Sequence, residues 1–91
     1  MKPDELGTEQ VKALAVAHVR RFEYRMTGSS RHVNHAECEK LLVVWKSILV
    51  KARRSPQWRL LLSDEEKREI LEAVESGDFD DLLRATAERP S

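Results

Sequence analysis

From Asn34 to Arg54 the chain reads NHAECEKLLVVWKSILVKARR, and this stretch decides the fold. Wound at about 3.6 residues per turn, it puts Cys38, Leu41, Leu42, Val44, Trp45, Ile48, Leu49 and Ala52 on one wide face. Val43 and Val50 fall on the opposite side, one heptad apart, with Ala36 another heptad earlier. A helix that is apolar on both sides is either central to a bundle or holds a second face for a partner. Asn34 suits the N-cap and Glu37 stands three residues on, a box-like start for a helix over about 34–54.

Upstream, Val11, Leu14, Ala15, His18, Val19, Phe22 and Met26 recur at helical spacing, which predicts a helix over about 8–27 that stops at Gly28. Residues 28–33 read as a loop. Downstream, Ser55-Pro56 offers a serine cap and a proline at the first helical position, so a short helix over about 56–62 should carry Trp58, Leu61 and Leu62. Ser63-Asp64-Glu65-Glu66 is a capping box, and its acids meet the positive end of the helix dipole. That helix should span about 64–76, bury Ile70, Leu71 and Val74, and end at Gly77. Asp78 should cap a last helix over about 78–88, with Phe79, Leu82, Leu83 and Thr86 inward and Glu88–Ser91 frayed. No period-two alternation is long enough for a strand. The expected fold is all-α: one domain of four main helices and one short one.

Charge is unevenly spread. Residues 1–62 hold 12 Lys+Arg against 6 Asp+Glu, and residues 63–91 hold 4 against 10, so a formal net charge of zero conceals two opposed segments. Between Lys40 and Leu62 there is no carboxylate at all. Cys38 is the only cysteine, which excludes an intrachain disulfide and makes a reducing, cytoplasmic setting the expectation. The early acids Asp4 and Glu5 do not fit a signal peptide, and the longest apolar run, Leu41–Trp45, is far too short for a membrane span.

Few residue groups resemble a chemical site. His32, His35 and Cys38 are spaced His-x-x-His-x-x-Cys, and three such donors with a fourth can hold zinc. The spacing matches no standard zinc module, and the plainer reading is a buried apolar cysteine beside a polar helix start, so no metal is expected. Cys38 near His35 in the first turns of a helix would suit an activated thiol, yet no orienting third group or oxyanion donor can be named. Ser29, Ser30 and Ser47 are weaker still. With no glycine-rich phosphate loop either, neither catalysis nor a cofactor is expected. His18 lies within the first helix's apolar stripe and reads as a hydrogen-bonded core residue.

Two binding readings remain. Arg20, Arg21, Arg25, Arg31, Arg53, Arg54 and Arg59 could contact phosphates of a nucleic acid. Against that stand a near-neutral isoelectric point and the lack of interleaved basic and aromatic residues. A helix-turn-helix at the C-terminal end is excluded because Asp78, Asp80 and Asp81 would meet phosphates. The acids Asp64, Glu65, Glu69, Glu72 and Glu75 form a stripe that could dock on a basic surface, although a solvated outer face is the ordinary account. The alternative better supported by the pattern is protein–protein interaction. Val43 and Val50, rimmed by Lys46, Lys51 and Arg54, make an apolar centre with a basic border. The expected class is therefore a non-catalytic helical interaction module (adaptor, regulator, inhibitor or assembly subunit), its partner another protein or a second copy in a dimer, with no membrane involved.

Overall fold

The computed structural model describes residues 5–27 and 34–87; the expected stop at Gly28, the loop after it, and the frayed end at Glu88–Ser91 lie outside them. Five helices follow one another, and no strand occurs among the described residues: α1 Thr8–Thr27, α2 His35–Arg54, α3 Trp58–Leu61, α4 Asp64–Ser76 and α5 Asp80–Ala87. The fold is all-α, as the periodicity requires.

Each helix begins or ends where local chemistry dictates. At the start of α1 the Gly7 carbonyl accepts the Val11 amide at 3.0 Å, which makes Gly7 the N-cap. The Gln10 side chain reaches back to accept the Gly7 N–H at 2.7 Å, half of a capping box. Leu6 and Val11 then occupy the flanking positions of a hydrophobic staple, and both are fully buried. The Asn34 side chain accepts the Glu37 amide at 3.1 Å, as expected for the cap of α2. Ser63 and Glu66 complete a reciprocal capping box at α4, and Gly77 closes that helix with φ 75°, a left-handed geometry that glycine adopts without a Cβ penalty.

Two starts differ from expectation. The short helix begins at Trp58 rather than at Pro56, because the Ser55 hydroxyl accepts the Gln57 amide at 3.1 Å and Pro56-Gln57 form a turn first. Ser55 instead closes α2, its N–H donating to the Lys51 carbonyl at 3.1 Å. The last helix likewise begins at Asp80 rather than Asp78: the Asp80 amide donates to the Gly77 carbonyl at 3.3 Å, so Asp78 belongs to the turn and does not cap the helix.

Helices α1 and α2 form an antiparallel hairpin with the most extensive packing in the molecule, and α5 runs back along α1. The core takes Val11, Leu14 and Phe22 from α1, Trp45, Ile48 and Ala52 from α2, Trp58 from α3, Ile70 and Val74 from α4 and Leu83 from α5. His18 stacks on Trp45 with ring centroids 3.9 Å apart at 11°, and also touches Phe79 at 4.5 Å. Its Nδ1–H donates to the Leu14 carbonyl at 2.9 Å, so the histidine is a satisfied core residue. The Trp45 indole N–H has no acceptor among the described residues; apolar area and ring stacking hold that side chain in place. Leu71, expected to be buried, is 38% exposed, and Leu61 of α3 is 52% exposed. In α4 the inward positions include Glu66 and Ala73 instead, Glu66 being held from α2 by Lys51.

Candidate functional site: the outer face of the second helix

Helix α2 positions two surfaces at once. Cys38, Val44, Trp45, Ile48 and Ala52 are buried, while Val43 and Val50 are 63% and 44% exposed on the opposite side. Residues seven apart fall about 20° from one another on a helix, so the two valines form one apolar patch. Ala36, also exposed, extends the same line toward the N-terminus. The patch exists because the wide inner face packs against α1, α3 and α4; no element among the described residues packs over the other side.

The charged rim differs from the sequence expectation at one position. Lys46 and Arg54 are exposed, but Lys51 is turned away to an ion pair with Glu66 at 2.6 Å. Lys40 pairs with Glu65 at 3.4 Å. Two lysines of α2 thus reach, from either side, to adjacent acids at the start of α4, and this is how the basic and acidic segments meet within the chain. Burial alone would raise the Glu66 carboxyl's pKa, yet the Lys51 ammonium and the Ser63 amide and hydroxyl hold it below the ordinary carboxylate value. Glu39 and Arg54, both exposed, take part in no ion pair among the described residues.

The other charged candidates are dispersed. Arg20 and Arg53 line a groove of about 370 Å³ with Ala13, Val16, Ala17 and Leu82, and the same lining holds Lys12 paired with Glu9 at 3.3 Å. Arg21 lies over the Phe79 ring at 5.5 Å and Arg25 over Phe22 at 5.7 Å. Arg59 stacks over Trp58 at 4.5 Å and donates to the Leu6 carbonyl, so it serves the fold. Arg31 lies outside the described residues. A shallower hollow of about 190 Å³ between α1 and α4 is lined by His18, Arg21, Phe22, Glu69, Asp78 and Phe79. Burial, Glu72 and Glu65 together raise the Glu69 carboxyl above its ordinary pKa. The pKa of His18 is lowered by burial and by Arg21, against the opposing hydrogen bond to Leu14.

Of the ligand-like trio, Cys38 is buried in the core, His35 is exposed one turn away, and His32 lies outside the described residues. Cys38 packs as an apolar side chain, and no group of three or more metal-capable side chains occurs among the described residues. Ser47 is half-buried on the α4 side of α2, while Ser29 and Ser30 lie outside the described residues. No helix among the described residues is long and apolar enough to cross a membrane. Sequence reasoning missed Leu6 and Gln10. Gln10 Nε2 donates to the Leu83 carbonyl at 2.9 Å and ties the start of α1 to α5. The signal for both was the Leu-Gly-x-x-Gln-Val order around the α1 cap.

Comparison of the chain with family models, with curated proteins and with solved structures gives no match.

Proposed function

We propose that this chain is a non-catalytic helical interaction module that self-associates through the outer face of α2. One observation carries the reading. Val43 and Val50 are the exposed apolar pair on a helix whose opposite face is fully used by the chain's own core. Scattered exposed apolar residues need no explanation, but these two share a line with Ala36 and are bordered by Lys46 and Arg54. An apolar centre with a polar rim is the composition of a protein interface. A domain of 91 residues buries a comparatively small share of its surface, so association adds stability that its own core cannot supply. A twofold dimer is the simplest closed arrangement. Light scattering coupled to size exclusion at low micromolar concentration tests this: a dimer mass is expected, and a strict monomer mass contradicts it.

A second reading has its own observation. Arg20 and Arg53 line one groove together with Lys12, which pairs with Glu9 of the same lining at 3.3 Å, and two guanidinium groups in one groove suit a phosphate backbone. Binding to mixed DNA or RNA would then weaken steeply with salt and with the change Arg53→Glu. Absence of binding at low salt dismisses it.

A further inference from the structure

The residues bordering the valine patch carry enough information to choose how two copies meet. Glu39 lies four residues before Val43, and Arg54 lies four residues after Val50. Four residues advance a helix by about 6 Å and return to nearly the same face. All four side chains therefore stand along one line of α2, and all four are exposed. The order along the line is acid, valine, valine, base. That order is complementary to itself when reversed.

We propose that a second copy of this chain occupies the outer face of α2 in an antiparallel, twofold arrangement, with Val43 against Val50 and Glu39 against Arg54 of the second copy, and the reciprocal pairs on the other side of the axis. The inference rests on the reading of α2 as the self-association surface and adds the identity of the occupant and its register. Bringing Val43 opposite Val50 of the second copy brings Glu39 opposite Arg54 automatically, since each charge is the same distance outside its valine. Arg53, one position along and also exposed, falls on the same flank as Glu39 of the other copy and adds to the attraction.

The parallel alternative fails on the same residues. It sets Glu39 against Glu39, Arg54 against Arg54 and each valine against its own equivalent, so both ends of the patch repel. Lys46, near the middle, faces its own equivalent in either alignment and does not discriminate; its long stem lets the ammonium reach outward to water. Of the lysines on the α4 side, Lys51 is held by the buried Glu66 and Lys40 is drawn toward Glu65, so both ammonium groups are turned to α4. The choice of second copy over a foreign protein follows from this self-complementarity: both halves of the matching charge pattern are present on the one helix.

Thiol cross-linking distinguishes the register from the surface. Val43→Cys and Val50→Cys are made separately; both positions are exposed, so folding is not at stake, and the native Cys38 is buried and serves as the unmodified control. A short bis-maleimide should join the two variants when they are mixed and leave each alone largely uncoupled. Coupling of Val43→Cys to itself, with dimer mass retained, overturns the antiparallel register while the self-association reading stands. A monomer mass for the unmodified chain, with no coupling in any mixture, overturns both. Charge reversal supplies a second arm. Glu39→Arg or Arg54→Glu alone should weaken dimerisation by roughly tenfold, and the double variant should recover to within about threefold of the unmodified chain. Equal weakening by the double variant and the singles overturns the pairing.

Discussion

His18 shows how one side chain sets the chemistry of the core. It lies stacked on Trp45 and bonded to the Leu14 carbonyl, with only 8% of its surface exposed. Burial disfavours the imidazolium, as does Arg21, and the pKa falls below its ordinary value of about 6.5. The unfolded chain therefore takes up a proton at a higher pH than the folded one. The stability due to neutral His18 is complete above that ordinary value and is lost as pH falls through it toward the lowered one. Replacing His18 by Phe should flatten the fall in unfolding free energy between about pH 7 and pH 5. Urea melts across that range measure it; an unchanged slope would show that His18 is not responsible. Glu66 carries a different stake. Its Oε1 accepts from Lys51 at 2.6 Å and from the Ser63 amide at 2.8 Å, and the residue is 4% exposed. Lys51→Met leaves this carboxylate buried without its cation, which should cost roughly 3 kcal/mol. The same change at Lys40, whose pair is exposed, should cost less than about 1 kcal/mol. Equal effects of the two in denaturant melts would contradict the difference in burial.

At the scale of the helices, stability is concentrated at the boundaries. Ser63→Ala removes one half of the α4 capping box and should destabilise by about 1 kcal/mol. Gly77→Ala forces a side chain into a left-handed backbone, at a cost of about 1–2 kcal/mol. Thermal melts check both, and a neutral outcome at Gly77 would mean that the turn into α5 can rearrange. These boundaries were legible in advance because caps are local: a serine with a glutamate three residues on, or a glycine after an apolar run, needs no distant partner. The misplaced starts have local causes as well, but competing ones. Ser55 and Asp78 are both plausible caps, and which amide each serves depended on the turn that the neighbouring helix end imposes. Leu71 was misjudged for a different reason. Its sequence spacing fits the apolar stripe of α4, but the buried face of that helix runs through Glu66, Ile70, Ala73 and Val74. That face includes a carboxylate held by Lys51 of α2, and a pattern of apolar residues alone gives no sign of such a partner. Of the candidate site, Val43, Val50, Lys46 and Arg54 were legible from helical phase alone. The diversion of Lys51 was not, since it required knowing where Glu66 would lie.

The whole molecule divides its charges into those that hold it together and those left facing outward. Lys40 and Lys51 join α2 to α4, whereas Glu39, Lys46 and Arg54 border an apolar line that the chain's own helices leave uncovered. One face of α2 is taken up by core and the other carries two exposed valines, which is the face assigned to the second copy in the proposed dimer. The double variant Val43→Asp/Val50→Asp places two carboxylates on that line without touching the core. Sedimentation velocity of this variant beside the unmodified chain, at equal low micromolar concentration and with helicity checked by circular dichroism, tests the central claim most directly. A dimer that becomes a folded monomer on substitution is the result predicted; identical sedimentation of the two proteins would contradict it.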